Sequence, residues 1–284
     1  MMSLTLFHNY VVLHPATSLV WLGLFSLLVG SFLNVVIYRL PLMIQTEWKT
    51  ECCELLQQPI SNPLTPSLNL CFPRSHCPAC QRLIPAWHNI PLISYVLLRG
   101  RCHACTQRIS WHYPFVELLC LGLSLFAGYY LGFSLQLLFV LLFIWLLICL
   151  SFIDLTHQIL PDGLTLGLLW LGLIANTATL FTPLPNAVLA AASAYLGLWL
   201  FIKLFYLCTK KVGMGHGDFK LFAAFGAWFG GSALLPILTT ASILATLVGL
   251  VYLGIQRKGR DTPIPFGPFL CIAGCGHLFF TVLK

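Results

Sequence analysis

Apolar runs close to membrane-spanning length recur along almost the whole chain, broken by a single long polar insert. They fall at residues 19–40, 114–131, 135–153, 163–181, 187–207, 219–233, 234–255 and 267–283. A hydrocarbon core of about 30 Å takes about 20 predominantly apolar helical residues to cross. The pattern therefore predicts an all-α polytopic membrane protein with eight transmembrane helices. Residues 219–255 offer only 37 positions for two crossings, so one of that pair should be short, broken or re-entrant, with its backbone shielded by protein. Composition agrees: 58% of residues are hydrophobic and 8% charged, with a mean hydropathy of +0.88, far from the roughly one-quarter charged content of soluble domains.

A net charge of +7 could suggest a nucleic-acid partner, but the distribution of the basic residues points to the lipid bilayer instead. Arg39, the six Lys or Arg from Lys49 to Arg108, then Lys210, Lys211 and Lys220, and finally Arg257, Lys258 and Arg260 all fall on one face of an eight-crossing chain. The positive-inside rule makes that face cytoplasmic. Residues 1–17 hold no Lys or Arg, so the first apolar run lacks the basic start of a secretory signal. It reads as a retained span with its N-terminus outside. Lys203, near the inner end of the fifth run, reads as a snorkelling side chain.

Three regions follow: a first span over 1–40, a polar Cys- and Pro-rich insert over 41–113, and a helical domain over 114–284. Within the insert, 45–72 lacks clear periodicity and reads as loop. Beyond it lie Cys77-Pro-Ala-Cys80 and Cys102-His-Ala-Cys105, two C-x-x-C pairs 21 residues apart, just outside the usual spacing of paired zinc knuckles. Two tight turns that each aim two thiolates at one point complete a tetrahedron around a structural zinc. Disulfides suit the reducing cytoplasmic side poorly, and a redox motif would need one such pair. The other eight cysteines show no matching spacing, and those in apolar runs read as small hydrophobes.

Only eight acids occur in the chain. Glu47, Glu51 and Glu54 lie in the polar insert, Asp261 lies among basic residues, and Asp162 reads as a helix cap. Glu117 opens the second span, where partner contact and helix packing are both open. Asp154 ends the third span and Asp218 begins the sixth, at matching depth. Ionisable groups at such positions are costly and commonly functional. Two carboxyl groups held close share one proton, so one can take a proton from water while the other hydrogen-bonds a carbonyl. Helix ends would favour Asp218 as the anion and Asp154 as the acid. Gly213, Gly215 and Gly217 permit backbone that would let an extended peptide approach. A flexible turn with Asp218 as an N-cap, or a proton-relay carboxylate in a transporter, stays open on chemistry alone.

Taken in order, these segments resemble the type IV prepilin peptidases, bifunctional leader peptidases and N-methyltransferases with a GxGD-type aspartic protease site. The resemblance is carried by Gly30-Ser-Phe-Leu-Asn34 through Arg39 and Pro41, the cysteine pairs with Asn89-Ile-Pro91 and Leu98-Arg-Gly-Arg-Cys102, and Tyr113-Pro-Phe-Val-Glu117. It continues through Phe152-Ile-Asp154, Leu160-Pro-Asp162, Gly215-His-Gly-Asp218-Phe-Lys220 and Ile264-Pro-Phe-Gly-Pro-Phe269. It implies an inner-membrane enzyme that cuts the basic leader from type IV prepilins and type II secretion pseudopilins after a glycine. It also implies methylation of the new N-terminus from S-adenosylmethionine, for which the sequence shows no binding fingerprint. Catalysis then falls to Asp154 and Asp218, and zinc binding to Cys77, Cys80, Cys102 and Cys105. Thr156 and His88 stand where many relatives carry acids. A proton-coupled transporter is the alternative; it would be expected to show paired broken-helix repeats, which the chain lacks.

Overall fold

The computed structural model describes residues 15–57, 69–77, 79–85, 87, 90–210, 214–256 and 264–282. The described residues form helices joined by turns and bends, with no strand beyond two isolated bridges. In chain order the helices are α1 (Pro15–Leu55), α2 (Ile93–Leu97), α3 (His112–Leu131), α4 (Leu135–His157), α5 (Asp162–Thr177), α6 (Leu184–Thr209), α7 (His216–Phe229), α8 (Gly231–Gln256) and α9 (Gly267–Val282). Five of them, α1, α3, α4, α6 and α8, are long and apolar enough to cross a membrane. The chain forms two compact units, Met1–Phe133 and Ser134–Lys284. The boundary at 113/114 marks the end of the polar insert, whereas α3 groups with α1.

In the first unit α1 packs along α3. A side chain at Gly30 would lie 3.0 Å from the Glu117 Cα and 3.2 Å from the Cys120 Cβ, so glycine there sets the approach of the two helices. One turn on, Asn34 Nδ2 donates to the Tyr113 carbonyl at 3.0 Å. Arg39, itself buried, donates to the carbonyls of Asn69 at 2.9 Å and Pro73 at 2.6 Å. Gly30, Asn34 and Arg39 thus tie α3 and the start of the cysteine region to one helix.

The loop expected over 45–72 is corrected in its first part, because α1 continues unbroken through Pro41 to Leu55. At 41 residues it is roughly 60 Å long, about twice a hydrocarbon core. Polar residues after Gln45 hid this extension: a helix with little packing shows no apolar stripe. Residues 58–68 lie outside the described residues.

The second unit is built around α4 and α7. From Leu221 to Phe229 every residue of α7 is buried. At 14 residues α7 is only about 21 Å long, so it cannot cross a bilayer alone and must be enclosed by protein. This is the short member expected in 219–255. Glycine and alanine make the enclosure possible. Ala187, Ala190, Ala191 and Ala194 form a buried stripe on α6, and a Cβ at Gly226 would sit 2.7 Å from the Ala190 carbonyl carbon. Small residues at such seams let helix backbones touch.

On the other side, Trp228 Nε1 donates to the Leu168 carbonyl at 2.8 Å, under Gly172 of α5. Asn176, wholly buried, finishes the assembly. Its Nδ2 donates to the carbonyls of Ala227 at 2.8 Å and Trp228 at 3.0 Å, and its Oδ1 accepts from the amides of Phe181 and Thr182, both at 3.1 Å. Leaving such groups buried and unpaired costs about 1–3 kcal/mol each. Asn176→Ala should therefore lower stability by at least about 2 kcal/mol. The check is thermal unfolding in detergent, where an unchanged midpoint would contradict this role.

Candidate active site and cysteine centre

The cysteine centre is built from two turns with the same backbone pattern. Cys77 N donates to Arg82 O at 3.0 Å, Gln81 N to Cys77 O at 2.9 Å, and Ile84 N to Ser75 O at 2.8 Å. Displaced by 25 residues, Cys102 N donates to Gln107 O at 2.8 Å, Thr106 N to Cys102 O at 3.0 Å, and Ile109 N to Gly100 O at 2.8 Å. Gln81 and Thr106 occupy the same left-handed conformation, each with φ of 57°. In sequence the duplication pairs Ala79 with Ala104 and Ile84 with Ile109 beside the cysteines, while backbone bonds carry the rest. The turns bring the sulfurs of Cys77, Cys80, Cys102 and Cys105 within 4.8 Å of one another. Four sulfurs at that separation fit one tetrahedral metal ion with no position left for a substrate.

The thiols are electrostatically unequal. Backbone N–H groups, of Cys105 first and then Ala104, pull Cys102 down to about 7. At Cys105 the Gln107 backbone N–H pulls downward, but desolvation and the sulfurs of Cys80, Cys102 and Cys77 prevail and push it up to about 11. A cluster this crowded cannot hold four thiolates near neutral pH without a cation.

In the second unit the structure brings Asp154 and Asp218 together. Asp154 lies in the last turn of α4 and Asp218 in the first turn of α7, and both are buried. The Asp154 carboxylate acts electrostatically on Asp218, and the Cys271 thiol of α9 lies within electrostatic reach of both. Leu160 wedges the site from below. It lies 2.6 Å from where a Gly217 Cβ would be and 3.3 Å from where a Gly267 Cβ would be. Gly217 is therefore required by close packing inside a helix, and not by an unwound approach; Gly213 lies outside the described residues.

Asp154 Oδ2 accepts the Gly267 backbone N–H at 3.1 Å. A Cβ at Gly267 would come within 2.6 Å of that oxygen, so the first residue of α9 has to be glycine for the carboxylate to dock. Asp218 is not the N-cap, which is Gly215. Its Oδ1 is buried with no hydrogen-bond partner among the described residues. Helix ends do not separate the two carboxyl groups cleanly, because Asp154, in the last turn of α4, also accepts a backbone N–H from the start of α9.

Asp162 likewise differs from its expected capping role. Pro161 is the N-cap of α5, and the Asp162 carboxylate pairs with Lys220 at 2.5 Å. Glu117 proves to be a packing and positioning group, buried and accepting the Leu92 backbone N–H at 2.8 Å. Sequence reasoning missed Gly267 and Cys271. The first belongs to the Pro265-Phe-Gly-Pro268 segment noted without a role, and the second resembles any apolar cysteine until α9 is packed on α4.

Residues 24–131 match the bacterial peptidase A24 N-terminal domain, and residues 141–250 match the type IV leader peptidase family. A prepilin leader peptidase/N-methyltransferase of Legionella pneumophila is 57% identical over 95% of this chain and 94% of its own. The chain belongs to the type IV leader peptidase family. Proteins of the same name from Stutzerimonas stutzeri, 50% identical over 88% of this chain and 86% of that protein, and Pseudomonas putida, 46% identical over 94% of this chain and 92% of that protein, agree. No solved structure matches the chain. The two family segments fall one in each compact unit. The leader peptidase segment contains both aspartates but ends before Gly267 and Cys271.

The unequal thiols carry a chemical consequence, since thiolates are what alkylating reagents attack. In metal-free protein at pH 7–8, iodoacetamide should modify Cys102 well before Cys105, and a metal ion bound by the four sulfurs should protect all four cysteines. Peptide mass spectrometry reads the order. Equal modification of Cys102 and Cys105 would contradict it.

Proposed function

We propose that this chain is an aspartic endopeptidase that removes the basic leader of type IV prepilins, and of type II secretion pseudopilins, after a glycine. The observation that carries this reading is the burial of Asp154 and Asp218 within electrostatic reach of each other, in a family whose relatives are named for leader cleavage. One carboxylate takes a proton from water as the water oxygen attacks the scissile carbonyl carbon. The other carboxyl group donates its hydrogen bond, and then its proton, toward the carbonyl oxygen. Collapse of the tetrahedral adduct breaks the C–N bond, and a proton passes to the departing amine. Gly267 holds one Asp154 oxygen in place, leaving the other for water.

The same reading sets eight crossings in the bacterial inner membrane, with the N-terminus outside and the site at the cytoplasmic boundary. It treats α5, α7 and α9 as short spans sheltered by their neighbours. A prepilin, with a positive leader ahead of an apolar helix, would present its cleavage point at that depth. Cys77, Cys80, Cys102 and Cys105 would hold a structural zinc, which fixes the insert and supplies no chemistry to the cut. The relatives' names also support methylation of the new N-terminus from S-adenosylmethionine, with no residue assigned to it here. A proton-coupled transporter finds no support in the family.

Purified protein incubated with a synthetic prepilin tests the reading. Asp154→Asn and Asp218→Asn should each reduce cleavage by at least about 100-fold, the lower range for lost general acid–base catalysis. Bound zinc, read by elemental analysis, should be unchanged. Cys77→Ser should do the reverse, lowering zinc before the aspartate chemistry suffers. Cleavage that survives Asp218→Asn would reject the mechanism.

A further inference from the structure

The short helix α2 presents Ile93, Val96 and Leu97, at i, i+3 and i+4, on one face. They are 58%, 72% and 75% exposed. Trp87 and Trp111 beside it are 81% and 76% exposed. Ser94 Oγ donates to the Trp87 carbonyl at 2.9 Å, and Tyr95 rests against Trp111 with ring centroids 5.5 Å apart. Both tryptophans are thus tied to α2, Trp87 through its backbone carbonyl and Trp111 through the ring of Tyr95. Such a patch on a soluble domain marks an interaction surface.

The depth of α2 identifies what meets it. Glu117 is the sixth residue of α3, a helix of 20 residues whose length of about 30 Å matches the hydrocarbon core. Its carboxylate thus lies about 8 Å inside the end of the span, within the roughly 5–10 Å to which an interfacial helix sinks its apolar face. Leu92, in the left-handed region at φ 57°, is held there by its N–H bond to Glu117. The first turn of α2 is anchored at that level, and Trp111 directly precedes α3. Charge narrows the partner further. From Asn69 to Trp111 the chain has five arginines and no Asp or Glu. Arg74, Arg82, Arg99, Arg101 and Arg108 are all exposed, and none is in an ion pair among the described residues.

We infer that α2 lies in the plane of the bilayer boundary, its Ile93, Val96 and Leu97 face inserted among acyl chains and the surrounding arginines set on anionic phospholipid headgroups. Apolar insertion combined with basic attraction is how interfacial helices bind. The insert is then attached to the membrane along its own surface as well as through α1 and α3.

A benzophenone amino acid in place of Val96, in the full-length zinc-loaded protein, tests this. The protein is reconstituted in discs of phosphatidylcholine alone or with phosphatidylglycerol, illuminated, and its adducts read by mass spectrometry. Phospholipid should be the main adduct, with several-fold higher yield in the discs containing phosphatidylglycerol. Arg99→Gln with Arg101→Gln should bring that yield down to the phosphatidylcholine level. Adducts confined to polypeptide would show that a protein covers the face and overturn the inference, as would an absence of lipid adducts. Equal yields in the two discs would overturn the anionic assignment. The comparison between discs uses unaltered arginines, so it stands even if the arginine variant folds poorly.

Discussion

Enclosure of α7 by protein is the constraint on which the second unit depends. A helix of 14 residues leaves too little length to face lipid from end to end, and its first turn carries a carboxyl group. Both problems have the same solution, close contact with α5, α6 and α8. That contact requires Gly226 against the Ala190 backbone, Gly172 against Trp228, and Asn176 beneath the last carbonyls. Enlarging Gly226 would push on backbone, which has no side-chain freedom with which to yield, and enlarging Gly172 would displace the buried Trp228 ring.

The carboxyl pair inherits its geometry from this packing. α4 delivers Asp154 from its final turn, α7 delivers Asp218 from its first, and α9 fixes Asp154 through Gly267. Leu160, in the link from α4 to α5, fills the space beneath Gly217 and Gly267 together. The site is therefore a junction of helix ends, where chain direction changes and backbone N–H groups are free of helical partners. The cysteine centre follows a comparable principle: backbone turns aim the side chains, and the metal they could hold would offset the repulsion of crowded thiolates.

Much of this was legible in the sequence. The apolar runs, Asp154 and Asp218 as acids brought into one site, and the grouping of the four cysteines all emerge from periodicity and spacing, because burial and convergence on one point impose strict patterns. The polar tail of α1 did not, since a helix that packs against little carries no stripe. The role of Gly217 was misread, because sequence cannot separate a glycine needed for backbone freedom from one needed to admit Leu160. Gly267 and Asp162 act through partners more than 50 positions away, Asp154 and Lys220, and only assembled helices reveal such pairs. Glu117 was left open for the same reason.

In the proposed mechanism Asp154 and Asp218 act together on one water and one peptide bond. The most direct measurement is the affinity of a prepilin-derived peptide whose scissile amide is replaced by a secondary hydroxyl, a mimic of the tetrahedral adduct. The wild type should bind it tightly and both Asp154→Asn and Asp218→Asn should lose at least about 100-fold, since transition-state mimics depend on the groups that act there. Equal binding to the wild type and either variant would contradict the mechanism.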